Sequence, residues 1–475
     1  MASTQRPFNA RRTAGGFAIL TAIYFAVVLL PIPPGVTPGG WRLAGLFLAT
    51  VAGLILSPIP GGALVLLAVT LAPVIGALGL TESLGGYADS TVWLVMAAFF
   101  ISRSLLNTGL ARRIALAFVR TFGKSSVGVC YSLGLSDTLL GAIIPSNGAR
   151  SGGVTLPITR SIAELYGSTP EQTPRRLGAF LMVGVYQCTI VGAAMFYTGQ
   201  ASNPLAAQMA GNFGYPVTWV SWFAAAVVPG LVSLAVVPLI VLKIYPPEIR
   251  RTPEAAEFAR SELVKMGPMS GQERILAAIF GLVCGMWATS AFHHVDITVT
   301  ALGGSMALLL TGVLKWEDVI NERAAWDIFI WYGGLVRLGK ALNEAGVTKA
   351  FAESVGQFFS NLNWLALLVV ALLIYYFAHY AFASITAHIL AMYPAFVAVL
   401  LAKGAPIGLV VLSFAFLSSL AAGLTHYGTT PAPMFFGHGY VAMKDWWRVG
   451  AVVGVANLAI WGTVGFAYWK LIGLW

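Results

Sequence analysis

Apolar runs long enough to cross a bilayer recur along nearly the whole chain. They lie roughly at 15–31, 41–57, 61–79, 91–107, 177–198, 217–242, 274–292, 296–314, 325–338, 406–424 and 447–470. The hydrocarbon core of a membrane is ~30 Å thick, and about 20 helical residues span it. The pattern therefore predicts about eleven transmembrane helices. Only 10% of the 475 residues are charged, whereas 58% are hydrophobic. A soluble domain carries about 25% charged residues because its surface faces water, and no ordinary soluble core hides so many spanning runs. The fold class is an all-α polytopic membrane protein, with the lipid bilayer as its outer solvent.

Two further apolar regions, 127–158 and 364–402, do not read as single spans. Pro145-Ser146-Asn147-Gly148 interrupts the first and Ala383-Ser384-Ile385-Thr386 the second. Irregular backbone at membrane depth must face protein or a wet cavity, so each region predicts a re-entrant hairpin of two half-helices meeting at a polar tip. The one long polar stretch, Lys243–Arg274, divides the chain into halves that echo each other. Arg103-x-Leu105-x-x-x-Gly109 precedes the first broken region, and Lys340-x-Leu342-x-x-x-Gly346 precedes the second about 237 residues later. Ser146 pairs in this way with Ser384, and Pro157 with Pro394. Gly199-Gln200-Ala201-Ser202-Asn203-Pro204 has its counterpart in Gly428-Thr429-Thr430-Pro431-Ala432-Pro433. Six spans before the linker and five after it make the repeats inverted. Paired broken segments in inverted repeats point to a transporter's binding site.

Charge patterning excludes other classes. The net charge of +10 suggests no nucleic acid, because the basic residues sit in short loops between spans. With the N-terminus inside, about 22 of the 28 Lys and Arg residues face the cytoplasm, among them Arg6, Arg11, Arg12 and the 103–124, 160–176 and 243–274 segments. That orientation puts the C-terminus outside. Arg11-Arg12 before an apolar run resembles an export signal, but no small-residue cleavage site follows, so a first transmembrane helix is expected. Cys130, Cys188 and Cys284 are dispersed and predict neither disulfide nor metal site. His293-His294 with Asp296 reads as loop polarity.

At the tips, two half-helix N-termini present unpaired N–H groups and a partial positive charge. With the hydroxyls of Ser146, Ser384 and Thr386 and the amide of Asn147, they suit two carboxylate groups. Arg150 follows the first tip and His388 the second. Charge at that depth is costly and usually functional, and Arg150 has two open roles: pairing with Asp137, or serving the bound anion directly. An intramembrane serine hydrolase built on Ser384 and His388, four residues apart, would be the enzyme alternative, but no acid is placed to orient the histidine. No enzyme is expected.

The stretches Pro145–Pro157 and Leu424–Gly437 resemble the divalent anion:sodium symporter family, over essentially the whole chain. More narrowly they resemble its bacterial citrate/succinate and tartrate/succinate exchangers and plastid 2-oxoglutarate/malate translocators. The resemblance implies a secondary active transporter of small di- or tricarboxylates in a bacterial inner membrane. It also implies a homodimer with elevator-type movement. Scaffold helices would be 1–126 and 274–363, and hairpin and transport helices 127–242 and 364–475, joined by the cytoplasmic linker 243–273. The family's Ser-Asn-Thr triplets fall on Ser146, Asn147 and Gly148, and on Ser384, Ile385 and Thr386. Its unwound stretches fall on Gly199–Asn203 and Gly428–Pro431, adding Gly199, Asn203, Gly428, Thr429 and Thr430 to the implied binding residues. Any sodium site would use Ser146, Asn147 and Gly199. Gly148 lacks the hydroxyl and Ile385 the amide oxygen that a hard cation needs, so anion exchange without a cation is favoured over sodium-coupled symport, and no cofactor is expected.

Overall fold

The computed structural model describes residues 10–358 and 363–475; Arg6 lies outside the described residues. Among them every regular element is a helix. Lipid offers backbone groups no hydrogen-bond partner, and a helix satisfies them internally. The first half comprises α1 (Ala10–Val28), α2 (Pro38–Leu56), α3 (Gly61–Val74), α4 (Ser90–Thr108), α5 (Leu110–Phe122) and α6 (Ser126–Gly141). It continues through α7 (147–165), α8 (Gly178–Met195), α9 (Ser202–Asn212) and α10 (Trp219–Ile244). The linker holds α11 (Pro253–Met266). The second half comprises α12 (Gly271–Ala288), α13 (Ile297–Leu310), α14 (Arg323–Glu344), α15 (Val347–Phe358), α16 (Trp364–Ala378), α17 (Ile385–Ala402), α18 (Ile407–Ala421) and α19 (443–471).

Eight helices among the described residues are long and apolar enough to cross a membrane, and three shorter apolar helices accompany them. The eight include both arms of the second broken region. The expected spans at 274–292 and 325–338 are helices too, α12 and α14, yet neither is among those eleven. Helix α12 opens on Gln272-Glu273-Arg274, and α14 carries Arg323, Asp327, Arg337, Lys340 and Glu344. Of these residues only Glu273 is buried, and most of the others are exposed.

Both broken regions fold as pairs of half-helices. A proline biases the residue before it away from helix, so α6 stops ahead of Pro145 and the chain restarts at Asn147. Ser146 caps the restart from an extended conformation, its side chain accepting from Ala149 N at 3.1 Å. Ser384 does the same for α17, accepting from Ala387 N at 3.4 Å. The arms of the second pair are antiparallel. Leu367 near the start of α16 and Leu400 near the end of α17 line one apolar cavity, while Tyr375 stacks on His388 beside the break. Helix α7 widens into a π turn at Ser151–Thr155 ahead of Pro157, which has no N–H to donate.

Helix α8 is buried along its full length, and α18 nearly so. They form the central posts of the bundle, and each runs into an unwound stretch, 196–201 and 425–430. Tyr186 of α8 donates to Ala422 O at 2.6 Å and Gln187 to Gly423 O at 2.8 Å. These bonds fix the two posts against each other. Gly109 and Gly346, the matched glycines of the repeats, both take positive φ, 82° and 81°, where a side chain would be strained. Each turns the chain out of a span into an amphipathic helix, α5 or α15.

The linker gathers several basic loops on one face of the molecule. Arg113 of α5 pairs with Glu273 at 2.7 Å and donates to Gly267 O, and Arg112 pairs with Glu262. Tyr166 donates to Glu254 at 2.6 Å, and Glu248 N donates to Arg175 O. The 103–124, 160–176 and 243–274 segments thus share a side, as the charge count requires of any single orientation.

Candidate functional site

The two breaks converge on one cavity of about 430 Å³. Ser146 and Asn147 reach it from the first tip, and Ser384, Ile385 and Thr386 from the second. Thr429 and Thr430 line it from the second unwound stretch, with Gln200 and Ser202 from the first. Two Ser-capped helix starts, hydroxyls and an amide therefore face one volume. Such groups bind an anion through N–H and O–H donors and leave it free to depart.

Asn147 is the hub of the first tip. Its Nδ2 donates to Gln200 Oε1 at 3.2 Å and to Thr429 Oγ1 at 3.3 Å. Gln200 Nε2 in turn donates to Asn203 Oδ1 at 3.0 Å, and Asn203 Nδ2 donates to the Ala193 and Phe196 carbonyls at 2.8 Å. Asn203 thus closes the C-terminal end of α8 and holds Gln200 rather than lining the cavity. Gly148 meets Thr430: a Cβ there would lie 2.8 Å from the Thr430 methyl. A threonine would not fit, which accounts for the missing hydroxyl.

Arg150 is fully buried and turned away from the cavity. Its Nε lies 3.2 Å from Asp137 Oδ1, and its Nη1 donates to Ile144 O at 2.6 Å and Gly199 O at 2.7 Å. Of the two roles left open by the sequence, the geometry takes the pairing. The guanidinium also engages the Gly199 carbonyl, one of the three groups nominated for sodium. A cation there would meet a fixed positive charge, so these residues do not fit a sodium ion at Gly199.

The second repeat answers with different chemistry at the same places. Tyr375 and His388 stand 238 positions after Asp137 and Arg150, and their rings stack with centroids 4.2 Å apart. His379 stands at the place of Gly141. Its Nε2 donates to Gly428 O at 3.0 Å, and its Nδ1 lies 3.1 Å from His388 Nδ1. So Gly199 O and Gly428 O, equivalent carbonyls of the two unwound stretches, each accept from a basic side chain of a hairpin. His388 is buried beside this network and does not line the cavity, and its Nε2 has no hydrogen-bond partner among the described residues. Ser384 makes its hydrogen bond to Ala387 N and none to His388, which leaves the hydrolase pair unassembled.

A family model described as the transmembrane region of sodium:sulfate symporters matches residues 12–475. The chain belongs to this family, the divalent anion:sodium symporters. The Bacillus subtilis protein YflS is 42% identical to it, covering 96% of each chain. Arabidopsis thaliana Dicarboxylate transporter 1, chloroplastic, is 41% identical over 96% of this chain and 83% of its own. Inner membrane protein YbhI of Escherichia coli is 34% identical over 96% and 97%. Among solved structures, the Alcanivorax borkumensis YdaH transporter superposes with a TM-score of 0.57 over 97% of this chain and 98% of that one, at 11% identity. That likeness concerns the fold.

For a divalent anion:sodium symporter family member, four polar residues at or beside the cavity, Gln200, Ser202, His379 and Asp327, were not nominated from the sequence. Gln200 sat inside a recognised stretch but carried no distinguishing signal beside Gly199. His379 lies at the end of an ordinary apolar arm, and only its 238-residue correspondence with Gly141 sets it apart. Asp327 lines the cavity from α14; it stands near the start of a predicted span, where a charged residue is ordinary.

Proposed function

We propose that the chain carries small dicarboxylates, with malate, succinate, 2-oxoglutarate and tartrate as the first class and citrate at its edge, by exchanging one anion for another without a coupled cation. The observation that carries this reading is the pair of Ser-capped tips converging on one cavity. A dicarboxylate placed there meets an N-terminal helix end at each carboxylate, and its middle faces Thr429, Thr430 and apolar wall. A volume of about 430 Å³ falls in the range of small-ligand sites. Relatives agree on substrate class: one is named a dicarboxylate transporter, and the name of YflS proposes malate.

Cation independence is supported by the two basic side chains at the unwound stretches. Arg150 and His379 satisfy Gly199 O and Gly428 O internally, so these carbonyls need no bound ion. Movement is proposed as a shift of the hairpins and central posts, 127–242 and 364–475, against the helices 1–126 and 274–363, within a homodimer in a bacterial inner membrane. The cavity is also lined by Leu54, Gly61, Ala324 and Asp327, at the linker-side ends of α2, α3 and α14. With the N-terminus in the cytoplasm, that geometry corresponds to an inward-open arrangement.

Uptake of labelled malate into proteoliposomes tests the substrate class. Succinate and 2-oxoglutarate are expected to compete, and acetate and sulfate are not. Equal competition by sulfate would contradict the reading.

A further inference from the structure

Among the described residues, Asp327 is the only charged side chain on the wall of the tip cavity, and it is exposed. It projects from α14, outside both hairpins. Asp327 forms no ion pair among the described residues: Arg103 lies 3.9 Å from Asp318 and from Glu322, Arg337 pairs with Glu344 at 2.9 Å, and Arg323, one turn earlier on α14, is exposed. The carboxylate rests against the start of α3, where a methyl on Gly62 would come 2.6 Å from its Oδ1. Helix α3 begins without a side-chain cap, so its partial positive end lies beside the carboxylate. A lone negative charge on the wall of an anion site calls for a reason.

We propose that Asp327 sets the charge limit of the cargo, admitting dianions and rejecting trianions. This rests on the carboxylate reading above. A dicarboxylate with one end at each tip turns only its carbon chain and small substituents toward α14. The third carboxylate of a tricarboxylate projects toward the wall of α14, where the one remaining helix start, that of α3, is already faced by Asp327. Leu54, Ile328, Trp331 and Leu335 flank that wall, so salt screens the repulsion less than at an open surface. Discrimination by a built-in repulsive contact is a common route to specificity.

The test uses glutarate, 3-methylglutarate and tricarballylate as competitors of labelled malate uptake by the reconstituted full chain. They share a five-carbon chain and differ at its centre by hydrogen, methyl or carboxylate, at a pH where every carboxylate is ionised. In the wild type, tricarballylate is expected to compete about tenfold more weakly than 3-methylglutarate, a gap of the size one like-charge contact produces. Asp327→Asn and Asp327→Ser should each close that gap to about twofold through tighter tricarballylate binding, and Asp327→Glu should keep it. An unchanged gap in a transport-competent Asn or Ser variant, or no gap in the wild type, would overturn the role of Asp327. Should neither variant yield folded protein, the wild-type gap alone decides. A wild type that transports malate with no sensitivity to Asp327 refutes this inference only; one that transports no carboxylate refutes the substrate reading and this inference with it.

Discussion

At the scale of single residues, the two repeats solve one problem with different chemistry. Arg150 with Asp137, and His388 with Tyr375, occupy matched positions, yet the first is a buried ion pair and the second an aromatic stack. Removing one member of a buried pair leaves an unpaired charge at a cost of about 3–5 kcal/mol. Arg150→Gln is therefore expected to lower the melting temperature in detergent and reduce folded yield, with part recovered on adding Asp137→Asn. A variant that melts like the wild type but is inactive would instead mean that the arginine charge serves the anion. Asn147 reaches Gln200 and Thr429, and Thr386 faces the cavity. Asn147→Ala or Thr386→Ala should each cut malate uptake below about a tenth while size-exclusion profiles stay unchanged; normal uptake would reduce the tips to structural caps. The tip residues were legible because a polar patch inside an apolar run is rare and here occurs twice. Arg150 was legible only as a choice of two roles, since its partner depends on how the arm folds back. His379, Gln200 and Asp327 were not, because each sits in a context where its residue type has an ordinary explanation.

Among elements, breaks in helices matter more than the helices. Pro145 stops α6, serines restart α7 and α17, and unwound stretches interrupt the α8–α9 and α18 crossings. Composition could place these breaks because proline, glycine and serine act locally. It could not rank α12 and α14 against the other spans, since each joins an apolar stretch to charged residues. At Gly199 a side chain would strike the Ala193 carbonyl, and the Gly199 carbonyl holds Arg150. Gly199→Ala is thus expected to displace the unwound stretch and abolish uptake, with a lower melting temperature. Uptake and melting both within error of wild type would show that the stretch has more freedom than its packing implies. Gly109→Ala and Gly346→Ala should each destabilise by roughly 1 kcal/mol or more, because alanine resists the positive φ both require. Thermal melts of the two variants compare the repeats directly, and a stabilised variant would contradict the matched turns.

For the whole molecule, inverted repeats bring two polar tips to one cavity, and a linker gathers the basic loops on one face. Repeat matching made the convergence legible in advance, since broken segments at equivalent places must meet if the halves are related by a two-fold. The charge balance inside the bundle was not legible, because it depends on which carbonyls Arg150 and His379 reach. That balance carries the central claim of exchange without a cation. Counterflow of labelled malate in proteoliposomes tests it most directly, with vesicles loaded with unlabelled succinate or left empty, in sodium or in choline medium. Rapid uptake into loaded vesicles only, at equal rates in sodium and choline, is the expected result. Uptake into empty vesicles driven by a sodium gradient, and lost in choline, would contradict it.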